Sequence, residues 1–299
     1  MSSIAAERWA KARSFHHSLF PPERVAAGRQ QSVSVCLPAR ECAQTIGSIV
    51  AILLELREAG VIDEVVVVDA DSADGTAAVA ASAGAVVWQE SELMPAYGPV
   101  LGKGDAMWRA LSVLDGELVC FLDADTENFS AHFATGLLGP LVCQVGISLV
   151  KAFYRRPLHH GGESGAEGSP SGTEGGGRVN HLTARPALEL FYPELAGVRQ
   201  PLAGEVAARR DLLEALPFAT GYGVEIAMLI DSWQKVGLDA LAQVDLDEHR
   251  NRHQPLSALA PMAATVLATI ARRLQREGRL SGVPEGPLER PPLAGVSVA

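Results

Sequence analysis

The stretch "VCFLDADTENF", from Val119 to Phe129, joins an apolar run to two carboxylates that stand one residue apart. The residues up to Leu122 are typical of a buried strand, and Asp123 and Asp125 follow at once. An unpaired buried charge is costly, so these carboxylates must lie at an exposed strand end, pair with cations or hold a metal. The rest of the sequence bears on which of these applies.

The chain before this stretch alternates β-branched runs with helical patterns. Three of these runs are predicted strands: Ser32 to Leu37, Asp63 to Asp69 and Ala85 to Gln89. The alternation predicts an α/β fold with a mainly parallel central sheet and helices on both faces. Ligands of such sheets collect at the carboxyl ends of the strands, so the turns after these strands should converge on one crevice.

The second half of the chain is less regular. Gly146 to Tyr154 is a predicted strand, and the Gly- and Ser-rich run from His159 to Gly177 is predicted to be a mobile loop. Further helices are predicted over Val179 to Phe191, Arg210 to Leu216, Gly223 to Val236 and Leu256 to Leu274. A Pro-rich tail, residues 278–299, is predicted to be disordered.

Composition excludes some function classes. The 299 residues are 47% hydrophobic, enough for a large core, and the net charge of -10 argues against nucleic-acid binding. No apolar run reaches the roughly 18 residues of a membrane span, and the charged N-terminus does not resemble a signal peptide. The four cysteines form no CxxC pair, which favours reduced thiols in a cytoplasmic protein.

The common phosphate-binding motifs are missing from this strand and helix pattern. The first strand ends in "LPARECAQT" and not in a G-x-G-x-x-G turn. The segment Gly98 to Asp105 has the wrong glycine spacing for a nucleotide-hydrolase loop and no Ser or Thr after Lys103. A nucleotide ligand would therefore be held in another way.

An Asp-x-Asp pair at a strand end suits a divalent cation bound against a diphosphate. Its hard oxygen ligands favour Mg²⁺ or Mn²⁺, with substrate phosphates completing the shell. Alone, the pair is equally explained by capping of the next helix. Asp69 and Asp71 at a neighbouring strand end and Lys103 after a Gly-rich turn strengthen the metal interpretation.

Four segments, "VSVCLPARECAQTIGSIV", "DEVVVVDADSADGT", "GKGDAMWRAL" and "VCFLDAD", resemble in order and spacing the nucleotide-sugar glycosyltransferases of the GT-A fold. The segments "GGGRVNHLTARPAL", "GYGVEI" and "HRNR" are similar to those of actinobacterial glucosyl-3-phosphoglycerate synthases, whose close relatives make the mannosyl product. The resemblance covers about residues 30 to 260. It implies an N-terminal extension (1–30), a nucleotide-sugar-binding half (31–150) and an acceptor-binding half (151–277).

The resemblance implies a metal site and a donor site. Asp125 and His249 would bind the metal, although a lone His on a polar turn is otherwise more often a surface residue. The implied catalytic set is Asp125, His249, Glu225 and Lys103. The implied donor-binding set is Pro38, Ala39, Arg40, Cys42, Asp71, Ser72, Lys103, Asp123, Ala124, Asp125, Tyr222 and Glu225. For several of these the alternative is a purely structural role: small turn residues, a solvated Lys103, or Glu225 at a helix start.

The acceptor implied by the resemblance, 3-phosphoglycerate, carries a phosphate and a carboxylate. Three glycines expose backbone N–H groups before a helix, and Arg178 adds a forked donor. A flexible linker would explain the glycines but not the arginine. The implied acceptor set is Gly177, Arg178, Asn180 and Asn251.

Two residues depart from the family pattern. Cys42 stands where a Glu that contacts the base or ribose is usual, which leaves the donor open among UDP-glucose, GDP-glucose and GDP-mannose. Asn180 replaces a common Thr and keeps a hydrogen-bonding side chain. The resemblance also implies a homodimer, for which the helix after Pro255 could provide the surface.

The expected reaction retains the α configuration of the sugar, with the leaving phosphate helping to remove the acceptor proton. Glu225 and Glu205 are the side chains that could instead act as a nucleophile. Three alternatives stay open: a mannosyl-3-phosphoglycerate synthase, a sugar-phosphate nucleotidyltransferase, and a sugar-nucleotide sensor without catalysis. The nucleotidyltransferase is disfavoured because "LPARECA" contains no glycine.

Overall fold

The computed structural model describes residues 4–157, 177–251, 256–281 and 288–295. Its strands are β1 Ser14–His16, β2 Val33–Ala39, β3 Glu64–Asp69, β4 Val86–Gln89, β5 Leu118–Phe121, β6 Leu149–Arg155, β7 Val206–Arg209, β8 Phe218–Ala219, β9 Leu241–Glu248 and β10 Glu289–Arg290. Its α-helices are α1 Ile4–Arg13, α2 Pro22–Gly28, α3 Ile46–Glu58, α4 Thr76–Ala83, α5 Lys103–Ala110, α6 His132–Cys143, α7 Arg185–Phe191, α8 Arg210–Glu214, α9 Val224–Val236 and α10 Leu256–Arg276.

The central sheet has eight strands in the order β1-β9-β6-β7-β5-β2-β3-β4. Every pairing in it is parallel except those of β7, which runs antiparallel to both β5 and β6. Val35 of β2 pairs with Val65 of β3 on one side and Cys120 of β5 on the other. The predicted α/β class with a mainly parallel sheet is confirmed.

Helices cover both faces of this sheet, which is why the inner strands are apolar almost throughout. On one face, Ile46 of α3 and Leu137 of α6 belong to a buried cluster with strand residues. On the other face, Met107 of α5, Ile230 of α9 and Ile270 of α10 belong to a second cluster. The two layers hold the strand ends, and hence the turns after them, in fixed positions.

Residues 4–30 pack against the central sheet and are part of this fold, not a separate extension. β1 pairs with β9 at the sheet edge, and the indole Nε1 of Trp9 donates to the carbonyl of Leu241 at 3.0 Å. Phe20 is 1% exposed and lies against Gly139 of α6, where an added Cβ would be 2.1 Å from the ring. A glycine at this point in α6 therefore makes room for an aromatic side chain from the N-terminal segment.

The prediction of a disordered tail is wrong for residues 288–295. β10 pairs antiparallel with β8, and Arg290 donates from Nε and Nη2 to the two carboxylate oxygens of Asp105 at 2.7 and 2.8 Å. The indole of Trp108 also donates to the carbonyl of Pro291 at 2.8 Å. We call residues 288–291 the C-terminal strap. Its order comes from buried ion pairing with α5, a contact that has no local sequence signal.

Two expectations fall mainly on residues outside the described ranges. The Gly- and Ser-rich loop predicted over His159 to Gly177 lies outside the described residues, apart from Gly177. The same holds for residues 282–287 and 296–299 of the predicted disordered tail. Among the helices that are described, none combines the length and apolar character needed to cross a membrane.

Candidate active site

A cavity of about 450 Å³ opens where the strand-end turns of β2 and β5 meet the start of α5. Fourteen of the residues expected at the site line it: Pro38, Ala39, Arg40, Cys42, Lys103, Asp123, Ala124, Asp125, Gly177, Arg178, Asn180, Tyr222, Glu225 and Asn251. Residues implied for the donor and for the acceptor therefore face one space. Three expected residues, Asp71, Ser72 and His249, are not part of this lining.

The turn after β3 reaches the cavity through Ala70 and not through Asp71 or Ser72. Asp71 has a positive φ of 51° and accepts a hydrogen bond from the hydroxyl of Ser91. The hydroxyl of Ser72 accepts from the backbone N–H of Glu41 at 2.9 Å. Both side chains therefore make hydrogen bonds at the turn and do not line the cavity.

Lys103, the first residue of α5, joins two carboxylates from different parts of the fold. Its Nζ lies 2.7 Å from Oδ1 of Asp123 and 3.2 Å from Oε1 of Glu225. Burial would lower the pKa of Lys103, but Asp123 and Glu225 raise it well above its usual value. The ammonium group is thus a permanent cation at the floor of the cavity.

Gly204 provides the space for this ion pair. A Cβ at this position would lie 2.4 and 2.5 Å from the carboxylate oxygens of Asp123 and 2.6 Å from Nζ of Lys103. Any other residue would push one of the two charged groups away. Glycine is therefore required here by close packing against functional groups.

Behind the cavity wall, His249 is 1% exposed and belongs to a buried polar chain. Its Nε2 lies 2.7 Å from Oε1 of Glu205, and the hydroxyl of Tyr154 donates to Oε2 of Glu205 at 2.7 Å. Arg156, which lines the cavity, donates from Nη2 to the Tyr154 hydroxyl at 2.9 Å. Burial would raise the pKa of Glu205, but His249 and Arg156 hold it well below its usual value.

These residues include a donor set that fits a divalent cation. Ligand atoms of Asp123, Glu205 and His249 lie within 4.8 Å of one another, and Nδ1 of His249 has no hydrogen-bond partner among the described residues. Asp125 is not in this cluster, but burial and the nearby Asp123 charge raise the pKa of its carboxyl. A bound cation would relieve that repulsion. Carboxylate oxygens with one imidazole suit Mg²⁺ or Mn²⁺.

The acceptor residues expected from the sequence line the same cavity. Gly177 has a positive φ of 74°, and Oδ1 of Asn180 accepts the backbone N–H of Leu202 at 2.9 Å. Arg178 and Asn251 also line the cavity. The cavity therefore contains both carboxylates around Lys103 and a guanidinium with amides.

Sequence reasoning missed three residues of this site. Arg156 and Gly204 were not singled out, and Glu205 appeared only as a possible nucleophile. Both oxygens of Glu205 are engaged by buried partners, so it does not face the cavity in that role. The arginines of "YRRP" were the one local signal available, since a cation in an otherwise acidic protein suggests an anionic ligand.

Cys42 also lines the cavity, in the place where a carboxylate was expected. Its thiol donates to the carbonyl of Arg40 at 3.1 Å, and its backbone N–H donates to the hydroxyl of Thr76 at 2.8 Å. Burial raises the pKa of Cys42 to about 11. The position therefore presents a neutral, weakly polar group to the ligand.

Comparisons with known proteins show the family to which the chain is similar. Residues 34–136 match the family model described as glycosyl transferase family 2. The chain is 43% identical over 274 residues to a glucosyl-3-phosphoglycerate synthase of Petrotoga mobilis, covering 90% of this chain and 82% of that protein.

Two solved structures are also similar. Mannosyl-3-phosphoglycerate synthase from Rubrobacter xylanophilus has a TM-score of 0.88 and 45% identity, covering 98% of both chains. Glucosyl-3-phosphoglycerate synthase from Mycobacterium tuberculosis, in complex with Mn²⁺, UDP-glucose and phosphoglyceric acid, has a TM-score of 0.79 and 38% identity. That alignment covers 92% of this chain and 95% of the other.

Proposed function

This chain belongs to the glucosyl-3-phosphoglycerate synthases, and on that premise we propose that it transfers glucose from a nucleoside-diphosphate glucose to the 2-hydroxyl of 3-phosphoglycerate. The observation that carries the proposal is that Lys103, Asp123 and Asp125 line the same cavity as Arg178 and Asn180. The first three suit a metal-bound diphosphate, and the last two suit a small dianionic acceptor. Residues implied for both reaction partners therefore line one space of about 450 Å³.

The roles that we propose for the metal-binding residues and for Lys103 follow from the charges of their side chains. Asp125 and His249, with Asp123 and Glu205 beside them, would hold Mg²⁺ or Mn²⁺. When bound, the ion supplies electrostatic stabilisation of negative charge on the departing diphosphate. Lys103 supplies a second cation at the same end of the cavity.

The acceptor residues would orient 3-phosphoglycerate for attack. Arg178 would pair with its phosphate or carboxylate, while Asn180 and Asn251 would fix its orientation. Because Asn180 is anchored to the backbone of Leu202, its side chain is held before the ligand binds. Such preorganisation lowers the entropy cost of placing the 2-hydroxyl beside the sugar.

Retention of configuration is proposed to occur by same-face attack, with the leaving phosphate accepting the proton. Glu205 is sequestered between His249 and Tyr154, and Glu225 is held by Lys103. The proposal therefore assigns neither carboxylate the role of a covalent nucleophile.

Replacing Asp125 with Asn tests the proposed metal site. We expect Asp125→Asn to lower kcat by at least about 100-fold, because a ligand charge is lost while the size of the side chain is kept. Titrations of activity against Mn²⁺ and circular dichroism spectra would be compared with those of Asp115→Asn, an exposed control. Near-normal turnover of Asp125→Asn would contradict the assignment. His249→Ala is a poorer test, since it leaves the Glu205 carboxylate buried without its partner.

A donor panel tests the reaction itself. Each of UDP-glucose, GDP-glucose and GDP-mannose is incubated with 3-phosphoglycerate, with and without Mg²⁺, and the product is identified by mass and sugar composition. The similarity to a mannosyl-3-phosphoglycerate synthase and the neutral Cys42 make transfer of mannose from GDP-mannose the second candidate. Release of pyrophosphate would instead indicate a nucleotidyltransferase, and binding without turnover a sensor.

We further propose a cytoplasmic homodimer. Each chain has four free cysteines, which suit a reducing compartment. Leu182 and Leu190 are 76% and 74% exposed near α10, which gives an apolar surface for a second copy. Light scattering of the purified protein would measure the mass in solution, and a monomer at micromolar concentration would contradict the dimer.

A further inference from the structure

A second group of metal-ligand side chains lies away from the cavity, where β1 ends beside the end of β9. It consists of His16, His17 and Asp247, and their ligand atoms lie within 4.8 Å of one another. We propose that these three residues form a separate binding site for Zn²⁺ or a similar transition-metal ion.

The two imidazoles converge on one carboxylate. Nε2 of His16 lies 3.3 Å from Oδ1 of Asp247, and Nε2 of His17 lies 2.7 Å from Oδ2. At Zn–N distances of about 2.0–2.1 Å, neighbouring ligands of a tetrahedral ion lie about 3.4 Å apart. A small outward rotation of the carboxylate would therefore admit the ion.

The backbone brings the ligands together without help from an ion. β1 and β9 are parallel neighbours, with His16 paired to Asp245, so the two chain segments are fixed in register. Asp247 adopts a positive φ of 64°, and its N–H donates to the side chain of Asp245 at 3.0 Å. This turn directs the Asp247 carboxylate back toward the histidines.

Neighbouring groups also orient the rings. The His17 ring lies between the rings of His16 and His132, at centroid distances of 4.4 and 4.3 Å. Ser18 places its hydroxyl 2.8 Å and its N–H 3.2 Å from Nδ1 of His16. That N–H donates to Nδ1, so in the metal-free protein the ring proton lies on Nε2 and points to Asp247. A metal at Nε2 requires this proton to move to Nδ1, where the Ser18 hydroxyl can accept the hydrogen bond.

The chemistry of the ligands selects the class of ion. Two imidazoles and one carboxylate suit Zn²⁺, Co²⁺ or Ni²⁺, with water in the remaining position. Mg²⁺ prefers oxygen ligands, so it should not compete well at this place. The two proposed sites should therefore respond to different ions.

Metal titration tests the proposal. Zn²⁺ is titrated calorimetrically into the metal-free protein in excess Mg²⁺, using the full chain, His17→Gln, Asp247→Asn and His249→Gln. We expect one Zn²⁺ equivalent to persist in His249→Gln, and its affinity to fall at least about 100-fold in His17→Gln and Asp247→Asn. Asn tolerates a positive φ, so Asp247→Asn changes the charge but not the turn.

The decisive comparison uses variants that remain folded. Melting curves in EDTA should agree for the full chain, His17→Gln and Asp247→Asn, while added Zn²⁺ should raise the melting temperature of the full chain alone. Co²⁺ in place of Zn²⁺ should give visible absorption that His17→Gln lacks. Unchanged Zn²⁺ affinity in both His17→Gln and Asp247→Asn, or loss of the equivalent in His249→Gln, would overturn the proposal.

Discussion

Lys103 lies between Asp123 and Glu225, and the missing side chain of Gly204 leaves the space in which the first of these pairs forms. The neighbouring atoms at Gly204 are the ends of two side chains and not backbone. A larger residue could therefore be accommodated by moving those ends. The fold would survive such a change, but the charged groups would leave their places.

Gly204→Ala should separate folding from activity. We expect kcat to fall on the order of 100-fold, because displacement of reacting groups by about 1 Å has effects of that size. The melting temperature should change little. Gly47→Ala in α3 is the matched control, since its added methyl meets only Val79, at 3.1 Å. Equal activity of the two variants would show that the Lys103 pair is not needed.

Lys151 is a buried cation that the proposed mechanism does not use. It is 2% exposed and donates to the carbonyl of Ala203, next to Gly204. Burial lowers its pKa from 10.5 to about 8, with Glu225 acting in the opposite direction. Between these values the unfolded chain carries a proton that the native chain lacks, so native stability should rise with pH in this window.

The difference in unfolding free energy between the wild-type chain and Lys151→Met should show this dependence. We expect it to change in favour of the wild type between pH 8 and 10.5, by no more than about 1.4 kcal/mol per pH unit. Urea unfolding at several pH values measures it, with the exposed Lys235→Met as the control. A difference independent of pH would contradict the lowered pKa.

The residues that sequence reasoning found are those that directly follow predicted strands. Asp123 and Asp125 were identifiable because an apolar run ended in charges. The contact of Glu205 with His249 could not be identified from the sequence. It depends on β7 lying antiparallel beside β5, which brings Glu205, the residue before β7, next to His249. His249 itself was predicted from the family resemblance, whereas its burial came only from the tertiary structure.

At the scale of elements, the C-terminal strap connects the parts that carry the site. Thr220, just before the turn that holds Tyr222 and Glu225, donates to the carbonyl of Leu288 from both N–H and hydroxyl. Arg290 meanwhile binds Asp105 on α5, two residues after Lys103. The strap thus ties the Lys103 helix and the Glu225 turn to a common support.

Removing the guanidinium should weaken that support. Arg290→Met leaves Asp105 with Arg109 as its buried cation. We therefore expect the free energy of unfolding to fall by less than the roughly 3–5 kcal/mol typical of a broken buried pair. We also expect kcat to fall, since α5 carries Lys103. Urea unfolding and steady-state kinetics would be compared with Arg57→Met, an exposed change on α3. Wild-type kinetics in Arg290→Met would show that the strap does not position the site.

The longer strands were more predictable from the sequence than the short ones. β2 and β3 stand out because their apolar runs are continuous, as expected of strands covered on both faces. β1, β7 and β10 have two to four residues each and no clear alternation. Their strand form depends on a partner strand from elsewhere in the chain, so the sequence around them carries no periodic signal.

At the scale of the whole molecule, the N-terminal segment closes one side of the core. Phe20 belongs to the buried cluster that includes Val33 of β2 and Phe133 of α6. An N-terminal extension was expected because the family resemblance begins only near residue 30. The segment's apolar residues are too widely spaced to indicate what they pack against.

Truncating Phe20 should therefore destabilise the entire fold. We expect Phe20→Ala to lower the free energy of unfolding by about 3–5 kcal/mol, the usual effect of emptying a buried aromatic site. Its neighbour Leu19 is 47% exposed, so Leu19→Ala should change it by less than about 0.5 kcal/mol. Urea unfolding measures both, and equal values would show that the N-terminal segment is dispensable.

The position of the strap along the chain also has a consequence for biosynthesis. β10 is the last strand of the described chain, so residues 288–291 leave the ribosome after every strand of the central sheet and every α-helix of the described residues. A nascent chain can form the sheet first, but α5 gains its Arg290 contact only at the end of translation. A product terminated before Leu288 would then have a complete sheet and an unbraced Lys103, so premature termination would yield a protein without efficient transfer activity.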